Sequence, residues 1–272
     1  MAAIKIFQID GKESGTIQLP AVFDTPFRPD IIHKVYVSLM SHSFQKQGRY
    51  PAAGEIVSAE SRNTGLGIAR IARARGEGFA RAGQAAGVAG VRHGRVAHPP
   101  ESWKNTYKKI NIKEKQLGLC SAIAATARKD LIERRGHKVS KISNFPLVVS
   151  NDIELISKTK DLHKALLALG LDEDLVRSSF SHKTRSGTAR RRGRQARSGV
   201  SALIVVDNEE NIGRISGSIF GIDVKQAKKI SVLDLVPGSK PIRLTIFSEN
   251  AIKRLNDMKA PLNKAMEIIR SR

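Results

Sequence analysis

The 272-residue chain carries 47 Lys and Arg against 25 Asp and Glu, a formal net charge of +22 with a pI near 10.5, and such an imbalance demands an acidic partner. Its single cysteine, Cys120, excludes an internal disulfide and a cysteine-built zinc site and suits a reducing compartment. No apolar run approaches the roughly 18 residues of a membrane span, and the opening Met-Ala-Ala-Ile-Lys-Ile-Phe lacks a signal peptide's apolar core, so a cytoplasmic protein without a membrane partner is expected.

Ile4 to Ile9 alternates apolar and polar side chains and can pair with Thr16 to Leu19 across Asp10-Gly11, which predicts an amino-terminal hairpin. After Pro29 and a capping Asp30, the residues Ile31, Ile32, Val35, Tyr36, Leu39 and Met40 recur at helical spacing, predicting a helix that ends near Gln47-Gly48. From Gly48 to Lys109 periodicity fails over a stretch too long for an ordinary connection, so residues 48–109 are expected to form an extension leaving the domain. Leu117, Cys120, Ala124, Ala127 and Leu131 then mark one helix closed by Gly136, with Cys120 as a small core residue. Three short β-branched runs, Leu147 to Val149, Ala202 to Val206 and Leu244 to Phe247, are each followed by a helix-compatible segment, the alternation of a largely parallel sheet. The helices expected are Asp161 to Leu169, Glu210 to Ser216, Glu249 to Asp257 and, past Pro261, Leu262 to Ile269. Without its basic segments the chain keeps roughly two hundred residues, enough for one α/β domain with helices on both sheet faces.

Charge is concentrated in two places. Between Ser61 and His98 stand Arg62, Arg70, Arg73, Arg75, Arg81, Arg92 and Arg95, with Glu77 the only acid and no lysine; Lys183, Arg185, Arg190, Arg191, Arg192, Arg194 and Arg197 form a second, acid-free cluster within 183–200. Together they supply more than half of the net charge. Guanidinium groups offer planar, bidentate donors to phosphate and stack on bases, so this chemistry favours folded RNA. The glycines interleaved in the first stretch would each weaken a helix by ~1 kcal/mol, which predicts an arm that is disordered alone and ordered by RNA. Phe79 is its only aromatic, so backbone and shape recognition should outweigh stacking. His93 and His98 could add stacking or phosphate contacts. An out-and-back excursion from Gly48 to Lys109 could reach roughly 90 to 100 Å if fully extended, which calls for a very large RNA around it.

Enzymatic motifs fail on inspection. Gly65-Leu-Gly67 and Gly76-Glu-Gly78 begin like a dinucleotide fingerprint but lack the third glycine and a strand-to-helix setting. No phosphate-binding lysine loop, zinc-binding helix pair or serine elbow appears, and the seven histidines are scattered, so neither cofactor nor metal is expected. A chromatin protein would need a helix-turn-helix, ribbon or symmetric dimer element, and an RNA-modifying enzyme a cofactor loop and a polar catalytic set; neither is present.

The runs Ser61-Arg-Asn-Thr-Gly-Leu-Gly-Ile-Ala-Arg-Ile-Ala-Arg-Ala-Arg-Gly76, Arg81-Ala-Gly-Gln84, Arg92-His-Gly-Arg95 and Ala97-His-Pro-Pro100 resemble the L-four family of large-subunit ribosomal proteins in its archaeal and eukaryotic form. The likeness extends to Gly187-Thr-Ala-Arg-Arg-Arg-Gly-Arg-Gln-Ala-Arg-Ser-Gly199 and to Leu233-Asp-Leu-Val-Pro-Gly238, and so covers nearly the whole chain. It implies a three-layer α/β domain at the surface of the large subunit, bound to large-subunit ribosomal RNA and neighbouring ribosomal proteins. It also implies a long loop threading RNA to help form the exit-tunnel wall and constriction. The first arginine set matches the family's basic loop, and Arg190 to Arg192, Arg194 and Arg197 match its second RNA-facing loop. Gly76, Glu77, Gly78, Phe79, Ala80, Arg81 and Gly83 would form a tip near the tunnel wall, within reach of a nascent polypeptide. The chain departs from the family where Ala85 and Ala86 follow Gln84 in place of a common aromatic, and near His93, where a doubled glycine is replaced.

Overall fold

Apolar alternation and β-branched runs build a six-stranded sheet. A computed structural model describes residues 3–92, 94–240 and 242–258, so the expected helix Leu262 to Ile269 lies outside the described residues. The amino-terminal hairpin consists of β1 (Ala3–Phe7) and β2 (Glu13–Gln18), antiparallel with Ile4 opposite Ile17. After α1 (Pro29–Ser41) come β3 (Ala59–Ser61), β4 (Ala72–Ala74), α2 (Ile112–Ala125), α3 (Lys129–Arg135), β5 (Leu147–Val149), α4 (Thr159–Ala168) and α5 (Asp172–Phe180). The second half adds β6 (Lys183–Thr184), α6 (Gly187–Arg191), β7 (Ala196–Arg197), β8 (Leu203–Val206), α7 (Glu210–Ser216), β9 (Asp223–Gln226), α8 (Val232–Leu235), β10 (Thr245–Ser248) and α9 (Glu249–Leu255).

The main sheet runs β2-β1-β5-β10-β8-β9, with every pairing parallel except the hairpin. Its central strands are buried on both sides, which is why they read as unbroken apolar runs. Val148, Leu203, Val205 and Phe247 share one core with apolar residues of α1, α2, α8 and α9. Leu147, Val149, Ile204, Val206 and Ile246 share another with α4, α5 and α7. Each buried aliphatic contributes roughly 1.5–3 kcal/mol relative to exposure. The mixed α/β class and mostly parallel sheet thus follow from the sequence pattern.

Several boundaries differ from expectation. The first helix ends at Ser41 rather than near Gln47-Gly48, because its apolar stripe stops at Met40 and a Ser-His-Ser run favours the turn in which Phe44 N–H bonds the Ser41 carbonyl. The single helix expected through Leu131 is two. The Thr126 hydroxyl donates to the Ile123 carbonyl at 2.7 Å, and the N–H groups of Thr126, Ala127 and Arg128 bond carbonyls three residues back, the tighter closure of a 3-10 turn. Arg128 turns extended, α3 restarts, and Gly136 closes it at φ 97°, a left-handed position suited to glycine. Cys120 is buried, and burial pushes its thiol pKa up to about 11, as a core residue requires.

The chain divides into two units, one holding residues up to Met40 and from Lys108 onward, the other Ser41–Tyr107. The first contains both cores. In the second, no described residue from 42 to 107 is buried.

Candidate nucleic-acid interface

The Ser41–Tyr107 unit has local order that periodicity could not reveal. Strand β4 pairs with β3 on one side, and on the other Ala74 N–H bonds the Gln84 carbonyl while Ala86 N–H bonds that of Ala72, at 2.9 and 3.0 Å. Three short segments thus form a ladder, where only irregular chain was expected. Its closing loop holds Gly76, Glu77, Gly78, Phe79, Ala80, Arg81 and Gly83. All but the half-buried Gly83 are exposed, and Ala82 N–H donates to the Phe79 carbonyl at 2.9 Å.

The arginines of this unit divide by environment. Arg62, Arg70, Arg75, Arg81 and Arg92 are exposed; Arg75 pairs with Glu60. Arg73 lies half-buried in the ladder and donates to the Gly83 carbonyl at 2.9 Å, while its buried Nε has no hydrogen-bond partner among the described residues. Arg95 donates to the Gly87 carbonyl at 3.2 Å and meets Glu55 at 3.3 Å. Three of the seven, Arg73, Arg75 and Arg95, therefore brace the unit. His98 is exposed, and His93 lies outside the described residues. Tyr50, Ile56, Leu66 and Trp103 also stand in solvent.

In the other unit the second basic segment is a small hairpin rather than a plain loop. Lys183 pairs with Arg197 and Thr184 with Ala196, and Arg185 N–H bonds the Gln195 carbonyl at 2.8 Å. At its end α6 carries Arg190 and Arg191, followed by Arg192 and Arg194, all exposed; Arg191 reaches Thr188 Oγ1 at 3.4 Å. Its base is tied down. Gly199 N–H donates to Ser181 Oγ at 2.5 Å, and Ser178 Oγ lies 2.9 Å from the carbonyls of Gly199 and Phe220. Gly221, at φ 80°, makes this closure possible, since a Cβ there would sit 2.2 Å from Ser178 Oγ.

Behind the hairpin lies a buried polar network. The Asp174 carboxylate accepts from Arg177 Nε at 2.8 Å, Ser201 Oγ at 2.6 Å, Lys138 N–H at 3.1 Å and His137 Nδ1 at 3.1 Å. Burial would favour the neutral acid, but the bonds from His137, Arg177 and Ser201 prevail and hold Asp174 well below the usual carboxylate range. His137 also accepts the Leu244 N–H at Nε2, 3.3 Å away, so the neutral ring protonated at Nδ1 satisfies both neighbours. Burial lowers its pKa, as do the nearby Arg177 and Arg135 charges, against the pull of Asp174. Arg243, equally buried, holds the carbonyls of Ser201, Ala202 and Gly221 and the carboxylate of Asp223.

The fold also gathers cations that no reading along the chain would group. Arg134 and Arg135 at the end of α3, Arg177 on α5 and Lys240 line one cleft with Lys183, Arg185 and Arg197. The contiguous arginine runs were legible in the sequence, but these four were missed because they come from separate segments. The Arg134-Arg135 pair before a helix-closing glycine was the only local hint. Arg190, Arg191, Arg192 and Arg194 are not among the cleft residues.

Comparison with known proteins gives a consistent result. Residues 17–258 match the sequence model of the ribosomal protein L4/L1 family. The chain is 36% identical over 258 residues to the large ribosomal subunit protein uL4 of Methanosphaera stadtmanae, covering 95% of this chain and 98% of that protein. It is 39% identical over 254 residues to uL4 of Methanococcus maripaludis and 38% over 252 to that of Haloquadratum walsbyi, each covering 93% of this chain and 98% of the relative.

Proposed function

The chain belongs to the ribosomal protein L4/L1 family, and from that membership and its charge distribution we propose how it serves the large ribosomal subunit. It is a structural constituent rather than an enzyme, working in the cytoplasm where subunits translate. Its sheet-bearing unit binds large-subunit RNA at the particle surface. Residues 48–109 form an extended basic loop that threads the RNA and helps form the exit-tunnel wall and constriction, with Gly76 to Gly83 at the tip, where a nascent chain passes. Arg62, Arg70, Arg73, Arg75, Arg81, Arg92 and Arg95 neutralise or stack on RNA along this loop. Lys183, Arg185, Arg190, Arg191, Arg192, Arg194 and Arg197 do so on the second hairpin. Neighbouring large-subunit proteins complete the set of partners.

One observation carries this reading: an arginine-rich unit in which no described residue from 42 to 107 is buried, while several of its aromatic and aliphatic side chains face solvent. A ladder of three short segments without a core gains too little from hydrogen bonds, about 1 kcal/mol each, to offset ordering at roughly 1–2 kcal/mol per residue. A polyanion that also covers apolar surface supplies the deficit.

The test is binding of the full chain, and of a variant lacking residues 61–98, to large-subunit RNA and to duplex DNA across a salt series. Preference for the RNA that persists at physiological salt, and that weakens with a shallower salt slope in the variant, is the expected outcome. Equal affinity for both nucleic acids, lost together as salt rises, would leave only a nonspecific basic protein.

A further inference from the structure

The cleft at the base of the second hairpin has features that generic charge attraction does not require. Its volume is about 980 Å³, at the upper end of the roughly 300–1,000 Å³ of ligand-holding clefts. Among the described residues no carboxylate lines it, although Asp174 accepts from Arg177 and fixes it. Cations converge on it from four places in the chain: the α3 terminus, α5, both strands of the hairpin, and Lys240. Arg134 and Lys240 are exposed and have no ion-pair partner among the described residues. The crowding is energetically visible at Arg135, whose pKa is lowered first by burial and then by the Arg243 and Arg177 charges, so an anion entering the cleft relieves repulsion already present. On the same lining stands Phe180, the last residue of α5, 82% exposed. An aromatic face beside guanidinium groups is the pairing that binds an unstacked nucleotide: the base lies on the ring and the phosphate is held by the cations.

We propose that this cleft is a single-nucleotide docking site, in which Arg134, Arg185, Arg197 and Lys240 hold a phosphate of the RNA backbone and Phe180 stacks on a base splayed from its helix. Arg177 is a positioning residue: Asp174 and the Val200 carbonyl, 2.8 and 2.7 Å from it, fix its guanidinium at the cleft wall. The site rests on the reading that the chain binds large-subunit RNA, and it adds a base-reading contact to a body otherwise expected to recognise backbone and shape.

The experiment uses the full chain and naked large-subunit RNA, with affinity measured across salt and nucleotide accessibility mapped by chemical probing. Three variants are compared: Phe180→Leu, which keeps apolar bulk but removes the ring, Phe180→Trp, which keeps a stacking face, and Arg134→Gln with Lys240→Gln. These side chains are all exposed, so an unchanged thermal midpoint serves as the folding control. Phe180→Leu is expected to lower affinity about fivefold or more without altering the salt slope, and Phe180→Trp to restore it. The double variant should flatten the slope by about one, and both losses should expose the same nucleotide to the probe. If the wild-type chain shows no preference for large-subunit RNA, the ribosomal reading itself fails. If it does and all variants match it in affinity, slope and footprint, the cleft is not an RNA site, and a loss confined to subunit assembly would assign it to a protein neighbour instead. A double-variant effect without a Phe180→Leu effect would overturn the base-stacking proposal.

Discussion

Asp174 is the acceptor on which a buried polar network converges. Its side chain is fully buried, and four groups converge on its two oxygens. His137, beside it, is held toward the neutral ring because burial and two arginines oppose a further positive charge. Both groups have folded-state pKa values below their ordinary ones, so at acid pH the unfolded chain binds more protons. Stability is therefore present above the unfolded values and lost as pH falls. The loss begins below about pH 6.5 through His137 and deepens below about pH 4 through Asp174. A thermal midpoint that stays level above pH 7 and declines from about pH 6.5 downward is the expected profile; a flat profile to pH 5 would contradict it. Asp174→Asn leaves Arg177 and His137 facing an amide, which is expected to cost about 3 kcal/mol at pH 7 and to remove the decline below about pH 4, while the part due to His137 remains. Because Arg177 lines the cleft, the same substitution loosens a guanidinium of the cleft wall without touching the surface. The basic residues were visible in the sequence, but this support was not: His137, Asp174, Arg177 and Ser201 lie up to 64 positions apart by their numbers and show no common motif.

At the scale of elements, legibility followed burial symmetry. Strands β5, β8 and β10 were readable because both faces are buried and every position is apolar or small, a signal that survives without knowledge of neighbours. Strand β9, Asp-Val-Lys-Gln, was missed because it is an edge strand with partial burial and no apolar run. Helix α5 was missed for a related reason. Its first turn is Asp172-Glu173-Asp174, one acid of which is buried in the network rather than solvated, so its composition reads as surface loop. The hairpin β6–β7 was hidden because its rungs are two residues long and its sequence is mostly charge. Glycine positions separate the two kinds of constraint. Gly221→Ala places a methyl against Ser178 Oγ and the Gly199 carbonyl at positive φ, and is expected to destabilise by more than about 1 kcal/mol. Gly213→Ala, within α7 and with only Glu209 Cβ nearby at 3.8 Å, is expected to stabilise by about 0.5–1 kcal/mol. Chemical denaturation of the pair checks both signs, and a Gly221→Ala chain as stable as the parent would show that the hairpin base is not closed as described.

At the scale of the whole molecule, basic segments stand in both units, while the described cores lie in one. The sheet-bearing unit packs two apolar cores on either side of its strands and keeps many of its charges in pairs, from Lys5–Glu13 to Arg254–Asp207. The Ser41–Tyr107 unit depends on a short ladder, a few carbonyl-bound arginines and the pairs Arg75–Glu60 and Arg95–Glu55, which are largely open to water and contribute at most about 1 kcal/mol each. Its stability alone is therefore marginal, and its folding is expected to be coupled to RNA. An arginine-specific protease provides the test. Without RNA, cleavage should concentrate at exposed arginines without ion pairs among the described residues, Arg62, Arg70, Arg81 and Arg92 here and Arg190 to Arg192 and Arg194 on the second hairpin, while Arg243 and Arg135 in the sheet-bearing unit resist. Cutting within 61–98 should not dissolve that unit, because Ser121 Oγ accepts the Arg28 N–H at 2.8 Å and α1 shares a core with α2 across the excised segment. Large-subunit RNA should then protect 61–98 at salt concentrations where duplex DNA no longer does. Resistance of 61–98 in the free protein would mean that the ladder is self-sufficient and that RNA binds a preformed arm, which would abolish the ordering cost and predict tighter binding with a smaller heat-capacity change than coupled folding requires.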